Sequence, residues 1–113
     1  MVSGEWVPDR GDIVWIQFNP QAGHEQAGDR RAMVVSPGNY NKATGLAVML
    51  PITTRIKKYP FEVELPPGMD TQGAILCDQV KSLDWRARKA HFKEKAPDEI
   101  VTRSLALLNA LLK

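Results

Sequence analysis

The chain is poor in the residues from which disulfides and metal sites are built. It has one cysteine, Cys77, and two histidines, His24 and His91, which lie far apart in the sequence. A lone cysteine excludes an internal disulfide, and no His-x-x-x-His, Glu-x-x-His or Cys-x-x-Cys spacing occurs. Neither a Walker phosphate-binding loop nor a dinucleotide-binding fingerprint is present. We therefore expect no bound metal and no cofactor.

Long apolar runs are also missing. The apolar stretch that begins at Gly45 ends at Pro51, well short of the roughly 20 residues that a membrane-spanning helix needs. Residues 1–6 lack the basic region followed by an apolar region that is typical of a secretory signal. Together with the single cysteine, these features predict a chain that does not enter a membrane and that acts in the reducing cytoplasm.

The chain also has little net charge, since its formal charge at pH 7 is only +2. Its basic side chains nevertheless fall into two clusters, and clusters of this kind attract polyanions such as nucleic acids. The alternative interpretation is an ordinary solvated face. The first cluster consists of Arg55, Lys57 and Lys58, and the second of Arg86, Arg88, Lys89, Lys93 and Lys95.

Hydrophobic patterning predicts a mainly β fold of one domain, residues 1–113, closed by a C-terminal helix. Short β-branched or alternating segments between proline and glycine turns are typical of a strongly bent sheet or a small, partly open barrel. After Pro97 the apolar period becomes helical, with Val101, Leu105 and Leu108 on one face. Strands are predicted at residues 11–18, 30–36, 44–50 and 61–65, one or two more within 73–85, and a turn at 37–41.

The loop from Gly23 to Arg31 has residue types that suit phosphate chemistry. Arg30 and Arg31 offer planar, permanently charged forks to phosphate oxygens, and Glu25 can accept a proton beside them. Glycines at both ends of the loop allow the backbone to turn tightly, and the following apolar strand fixes the arginines in space. The alternative is a surface loop of solvated charges.

No side chain in the sequence stands out as a nucleophile. Cys77 lies inside an apolar segment and is predicted to be a buried core residue, and no serine lies in a Gly-x-Ser-x-Gly turn. RNA supplies its own nucleophile, the 2′-hydroxyl next to the scissile phosphate. A protein that cleaves RNA in this way has to orient the ribose, stabilise an anionic phosphorane and move two protons. Arg30, Thr53, Glu25 and His24 are side chains of suitable kinds.

Several short sequence blocks become informative when they are taken in order. They are residues 11–15 with 18–20, 23–30, 34–37 with 40–41, 51–54, 59–63 and 78–86. In this order they resemble the MazF/PemK toxin family and cover most of the chain. The resemblance implies an SH3-like (CcdB/PemK-like) barrel that works as a homodimer. It also implies a metal-independent endoribonuclease that cuts single-stranded RNA and leaves 2′,3′-cyclic phosphate and 5′-hydroxyl ends.

The same resemblance assigns roles to particular residues and implies a partner. Carried over position by position, the catalytic arginine of the family falls on Arg30, its catalytic threonine on Thr53 and its loop glutamate on Glu25. The implied partner is a cognate MazE-like antitoxin whose disordered acidic tail blocks the RNA groove. For RNA contacts we name Lys57, Lys58, Gln79, Lys81 and Arg86.

One position departs from the family pattern, because Arg31 stands where the family usually has proline. Its side chain either points at the phosphate beside Arg30 or, as strand alternation suggests, to the opposite face of the strand, and we give it no catalytic role. The departure leaves open a degraded family member that only binds RNA or represses with its antitoxin. A further alternative is a non-enzymatic, CcdB-like inhibitor of a protein target such as DNA gyrase, acting through the C-terminal helix. The intact 25–30 loop and residues 51–53 favour the nuclease.

Overall fold

The computed structural model describes residues 5–18 and 29–113. Their strands are all paired antiparallel, and a helix closes the C-terminal end. This architecture confirms the predicted mainly β fold with a terminal helix. The elements are β1 (Asp12–Ile16), β2 (Arg30–Val34), α1 (Gly38–Thr44), β3 (Leu46–Thr53), β4 (Glu62–Glu64), β5 (Ala74–Leu76), β6 (Lys81–Asp84), β7 (His91–Lys95) and α2 (Asp98–Leu111).

Strand β3 is the centre of the sheet, whose order is β4-β5-β3-β2-β1-β7 with β6 also paired to β3. One edge of β3 pairs with β2. On its other edge, the first half of β3 pairs with β6, and the last two residues, Ile52 and Thr53, pair with β5. The strand was predicted to end at Leu50, but it continues through Pro51 to Thr53. Pro51 is tolerated because it falls between the β6 and β5 ladders, where no backbone N–H is required for pairing.

Alternating residues of β1, β2 and β3 supply two hydrophobic cores on opposite faces of the sheet. Ile13, Met33 and Leu50 belong to one core, which α2 covers, and Ile100 is the buried anchor of that helix. The other core is formed by the remaining alternate positions of these strands together with Leu83 and Trp85. Its buried members are Val14, Ile16, Ala32, Val34, Ala47, Met49, Leu83 and Trp85.

A short helix, α1, occupies the segment that was predicted to be a turn. Proline, glycine and asparagine favour turns, but they are also the residues that begin and end helices. Here Asp9 accepts a hydrogen bond from the N–H of Gly38 (2.7 Å), and Gly45 ends the helix in the left-handed conformation (φ 76°). Asn41 is fully buried and bonds the carbonyl oxygens of Pro8 and Ser36. These partners lie outside the helix, so local sequence did not reveal it.

Strand β7 was not predicted, because its sequence is polar and mostly exposed. It forms an edge of the sheet beside β1, with a register shift between Ile13 and Val14. Ion pairing replaces apolar burial at this edge: Lys95 Nζ lies 3.0 Å from Asp12 Oδ1, and Lys93 Nζ lies 3.7 Å from Glu94 Oε1. Edge strands of this charged kind lack the alternating pattern by which strands are found in a sequence.

The helix α2 begins after Pro97, as predicted, with Asp98 and Glu99 in its first turn. Its predicted apolar face packs against the core through Val101, Leu105 and Leu108, among others. The face is not covered at its end, since Leu112 is 72% exposed. Within the described residues, neither helix is long and apolar enough to cross a membrane.

Candidate active site

Arg30 and Thr53 lie at adjoining ends of neighbouring strands. Arg30 is the first residue of β2 and Thr53 the last of β3. The β2–β3 ladder pairs Ala32 with Pro51, and the same register carried two residues further brings Arg30 opposite Thr53. Because side chains two residues apart along a strand share a face, Arg30 and Thr53 lie on the same face of the sheet. The fold therefore brings together the two residues that the sequence singled out for catalysis.

Both residues line an open cleft of about 530 Å³. Among the described residues its lining includes Arg30, Arg31 and Arg55 and one acid, Asp29, but the guanidinium of Arg31 is bonded to the backbone of Gln72 and is not free to bind an anion. Asp29 in turn lies close to His91, with 3.8 Å between Oδ2 and Nε2. An excess of guanidinium groups around a cleft concentrates anions there, and guanidinium is suited to the oxygens of a phosphate. The remaining lining residues are Trp15, Phe18, Ile52 and Thr54.

The hydroxyl of Thr53 is held in place by the chain that follows it. The backbone N–H of Arg55 donates a hydrogen bond to Thr53 Oγ1 at 3.0 Å. This bond occupies a lone pair of the oxygen and leaves the hydroxyl hydrogen to be donated to another acceptor. Thr53 thus satisfies a backbone group, as a strand-end threonine commonly does, and also presents a donor to the cleft.

Arg31 extends from the opposite face of β2, which is the second of the two directions that the sequence left open. Its Nη1 donates a hydrogen bond of 2.6 Å to the backbone carbonyl of Gln72, a residue 41 positions away. Partial burial lowers the pKa of the Arg31 guanidinium from its usual value. This side chain is therefore fixed to the protein rather than extended beside Arg30.

A second cleft continues from the first and shares Thr53 and Arg55 with it. Two of the residues predicted to contact RNA, Lys57 and Gln79, line this second cleft. Tyr59 also lines it and donates a hydrogen bond of 2.5 Å from its hydroxyl to Asp78 Oδ1. That bond to a carboxylate raises the pKa of Tyr59 to about 12, so the phenol stays protonated as a donor at neutral pH.

The other three residues predicted to contact RNA lie in different surroundings. Lys81 pairs with Met49 across β6 and β3, and its Nζ lies 5.8 Å from the centre of the Phe18 ring at the first cleft. Lys58 is exposed and forms an ion pair with Glu64 (3.3 Å).

Arg86 lies away from both clefts. Its guanidinium bonds both carboxylate oxygens of Glu5 (2.7 and 3.1 Å) and stacks over Trp85, in a depression also lined by Lys89. Arg86 therefore lines neither of the clefts that Thr53 lines.

Glu25 and His24 lie within residues 19–28, outside the described residues, so the role assigned to Glu25 stays a prediction. Several lining residues were not put forward individually from the sequence: Phe18, Asp29 and Tyr59. Arg55 belongs to the basic 55–58 loop that was predicted to contact RNA, but it was not named individually among the RNA contacts. Nothing in the sequence pointed to the Tyr59–Asp78 bond, whose partners are 19 positions apart.

Cys77 is buried, which confirms its prediction as a core residue, and burial raises the pKa of its thiol. The thiol is therefore held in its unreactive, protonated form at neutral pH. Across residues 5–18 and 29–113, no group of three or more histidine, cysteine, aspartate or glutamate side chains is arranged to hold a metal ion.

Comparison with known proteins gives one consistent result. Residues 9–112 match the family described as PemK-like, MazF-like toxin of type II toxin-antitoxin system. The chain is 47% identical over 112 residues to the endoribonuclease toxin MazF of Escherichia coli K12, covering 99% of each sequence. It is 34% identical to the endoribonuclease PemK of E. coli, over 92% of this chain and 81% of that protein.

Solved structures agree with the sequence relatives. MazF from Deinococcus radiodurans superposes with a TM-score of 0.86 at 47% identity, over 96% of this chain and 98% of that one. A MazE–MazF complex from the same organism gives a TM-score of 0.86 at 41% identity, over 96% and 97% of the two chains. These matches confirm the predicted barrel class. By its sequence and its fold, the chain belongs to the PemK-like and MazF-like toxins of type II toxin–antitoxin systems.

Proposed function

We propose that this chain is the endoribonuclease toxin of a toxin–antitoxin pair and that Arg30 and Thr53 are its catalytic residues. The observation that carries the proposal is the meeting of these two side chains at the facing ends of β2 and β3, in a cleft rich in arginine. The endoribonuclease activity of the MazF and PemK relatives supports it. The substrate is single-stranded RNA, including mRNA, cut at short sequences, which stops translation and growth.

The proposed reaction uses the 2′-hydroxyl of the RNA as the nucleophile. A bond forms between the 2′-oxygen and phosphorus, the bond from phosphorus to the 5′-oxygen breaks, and a 2′,3′-cyclic phosphate and a 5′-hydroxyl result. Arg30 offers the fixed charge that stabilises the crowded, dianionic phosphorane, and Thr53 donates its hydroxyl hydrogen to a phosphate oxygen. Glu25 is the proposed acceptor for the 2′-hydroxyl proton, and the leaving 5′-oxygen takes up a proton from solvent water.

The path proposed for the RNA follows the two joined clefts. Lys57 and Gln79 line the second cleft, and Lys81 lies beside Phe18 at the first, so these three side chains are suited to contact nucleotides that flank the cut. Lys58, on the exposed side of the 55–58 loop, contributes charge near the same path. Arg86 contributes only if the RNA extends past Trp85, because its guanidinium is already paired with Glu5.

The proposed partners are a cognate MazE-like antitoxin and a second copy of this chain. Solved MazE–MazF complexes from Deinococcus radiodurans, in which the toxin shares this fold, support the first. An antitoxin tail rich in acidic residues is complementary to the arginines that line the first cleft. Because the substrate is mRNA, the proposed place of action is the cytoplasm.

The test is cleavage of a long single-stranded RNA by the purified protein in EDTA, with mapping of fragment ends. We expect discrete cuts that end in 2′,3′-cyclic phosphate, and we expect Arg30→Gln to abolish them while the folded protein remains. Arg103→Gln is the matched control: it removes the same charge from an exposed position on α2 and should cleave normally. Intact RNA from folded wild-type protein, free of antitoxin, would contradict the proposal and favour an inhibitor that binds a protein target.

A further inference from the structure

The backbone of Thr53 is contacted very closely by Gly73. A Cβ atom placed on Gly73 would lie 2.1 Å from the carbonyl oxygen of Thr53 and 2.9 Å from its carbonyl carbon. Gly73 also has a φ of 120°, which side-chain-bearing residues rarely adopt. The next residue, Ala74, is fully buried and pairs with Thr53 in the β3–β5 ladder. The position of Thr53 is therefore set directly by the chain at Gly73.

The two residues before Gly73 are anchored to other strands. Thr71 is fully buried, and both its N–H (2.6 Å) and its hydroxyl (2.5 Å) donate to Glu94 Oε1 on β7. Lys93 Nζ donates to Thr71 Oγ1 at 2.8 Å. These bonds hold one end of the segment formed by Thr71, Gln72 and Gly73, called here the 71–73 segment, against β7.

The middle of the 71–73 segment is bound to β2 by Arg31. The guanidinium of Arg31 donates to the Gln72 carbonyl at 2.6 Å, and a bond from a charged donor of this length is among the stronger hydrogen bonds in proteins. Arg31 is the chain neighbour of Arg30 and points to the other face of β2. The 71–73 segment thus touches the strand of Arg30 at one residue and the strand of Thr53 at the next.

We infer that Arg31 is a positioning residue, which acts through the 71–73 segment to hold Thr53 in place opposite Arg30. The inference rests on the proposed function of Arg30 and Thr53. It gives Arg31 a role that a proline at the same position has no donor to fill. A displacement of about 1 Å in a catalytic group is enough to lower a rate by up to a hundredfold, so a bond that fixes the relative position of two strands has a measurable effect on catalysis.

The experiment compares Arg31→Met with wild type on an RNA that contains the mapped cleavage sequence. We expect the single-turnover rate at saturating protein to fall about tenfold. The affinity for the same RNA with a 2′-deoxyribose at the cut, which cannot react, should be unchanged. Arg31→Lys, which retains a charged donor, should recover most of the rate. If Arg31→Met does not fold, Arg31→Gln, whose amide ends before the guanidinium position, replaces it.

Two further variants test whether Arg31→Met lowers the rate by displacing Thr53, rather than by destabilising the protein or removing a contact to RNA. Arg10→Met is the matched control, because Arg10 Nε donates a 2.7 Å bond to the carbonyl of Val35 outside the two clefts; it should cleave at the wild-type rate. The double variant Arg31→Met with Thr53→Val should be no slower than Thr53→Val alone, since both changes act on the same group.

The inference is overturned if Arg31→Met cleaves at the wild-type rate, if it weakens binding without lowering the saturating rate, or if its effect multiplies with that of Thr53→Val. An equal loss in Arg10→Met overturns it too, because it would indicate general destabilisation. None of these results contradicts the proposed function, as long as the wild-type protein cleaves the RNA and Arg30→Gln does not.

Discussion

Arg30 and Arg31 are neighbours in the chain, but they leave β2 on opposite faces of the sheet. Arg30 lies across from Thr53, whereas Arg31 is bound to the carbonyl of Gln72. Alternation along a strand favours this division because it is a property of the backbone, but the sequence alone left open a side chain of Arg31 beside that of Arg30. The partner of Arg31 could not be predicted, since Gln72 is 41 positions away and any backbone carbonyl can accept the bond.

The family resemblance selects Arg30 and Thr53, and the register of β2 and β3 brings the two residues opposite each other. The contribution of Gly73 is different, because it depends on one close approach between backbones. No pattern in the sequence predicts that approach, because Gly73 lies among turn residues, where a glycine is common. Candidate catalytic side chains can therefore be proposed from their chemistry and from the family resemblance, whereas the contacts that position them depend on tertiary structure.

Thr53→Val provides the residue-scale prediction, because valine has nearly the same shape as threonine but no hydroxyl. We expect the single-turnover cleavage rate to fall by about a hundredfold, which is typical of losing one hydrogen-bond donor to a transition state. The affinity for unreactive, 2′-deoxy-substituted RNA should stay within about twofold of wild type, since the donor is needed mainly in the transition state. Thr53→Ser, which keeps the hydroxyl, is the control and should retain most of the rate. Full activity of Thr53→Val would remove Thr53 from the mechanism.

Strands and helices that bury an apolar face could be predicted from the sequence. Those that depend on polar contacts with residues far away in the sequence could not. The strands β1 to β6 and the helix α2 coincide with predicted apolar segments, although β3 extends further than expected, to Thr53. Helix α1 depends on Asp9, which lies 29 positions from Gly38, and β7 depends on ion pairs with residues such as Asp12. Neither dependence leaves a periodic pattern in the sequence.

Asp9→Ala provides the element-scale prediction, because Asp9 caps α1 from outside the helix. Its Oδ1 accepts hydrogen bonds from the N–H groups of Gly38 (2.7 Å) and Arg10 (2.9 Å). Loss of such a cap costs about 1 kcal/mol, so we expect the free energy of unfolding, measured by urea denaturation, to fall by roughly that amount. Asp9→Asn keeps an acceptor oxygen and should lose less. An unchanged urea midpoint for Asp9→Ala would show that the cap contributes nothing to α1.

At the scale of the whole molecule, the placement of charge matters more than its sum. The net charge of +2 suggests little affinity for polyanions, yet Arg30 and Arg55 line the first cleft and Lys57 lines the cleft that continues from it. The sequence located the basic clusters but not their arrangement. It did not reveal that Arg86 is paired with Glu5 and lines neither of the two clefts. That the chain forms a single domain stays a prediction.

The whole-molecule prediction concerns the salt dependence of RNA binding. Each phosphate neutralised on a single strand contributes about −0.7 to the slope of log affinity against log salt concentration. We therefore expect Lys57→Gln to make that slope shallower by about 0.7, measured with RNA that carries a 2′-deoxyribose at the cut. Lys42→Gln, which removes an equal charge from the exposed side of α1, should leave the slope unchanged. Equal slopes for wild type and Lys57→Gln would remove Lys57 from the RNA path.

The anchoring of Thr71 to Glu94 has a consequence for the order in which the toxin is made. Arg30 and Thr53 leave the ribosome early, but the contacts that fix Thr53 come from Gly73, and those that fix Thr71 come from Lys93 and Glu94. A nascent chain that stops before β7 thus has both of the side chains proposed for catalysis but lacks the contacts that fix Thr53 in place. We expect such incomplete chains to be harmless to the mRNA from which they are being translated, so a cell can synthesise this toxin to its final strand before the product becomes dangerous.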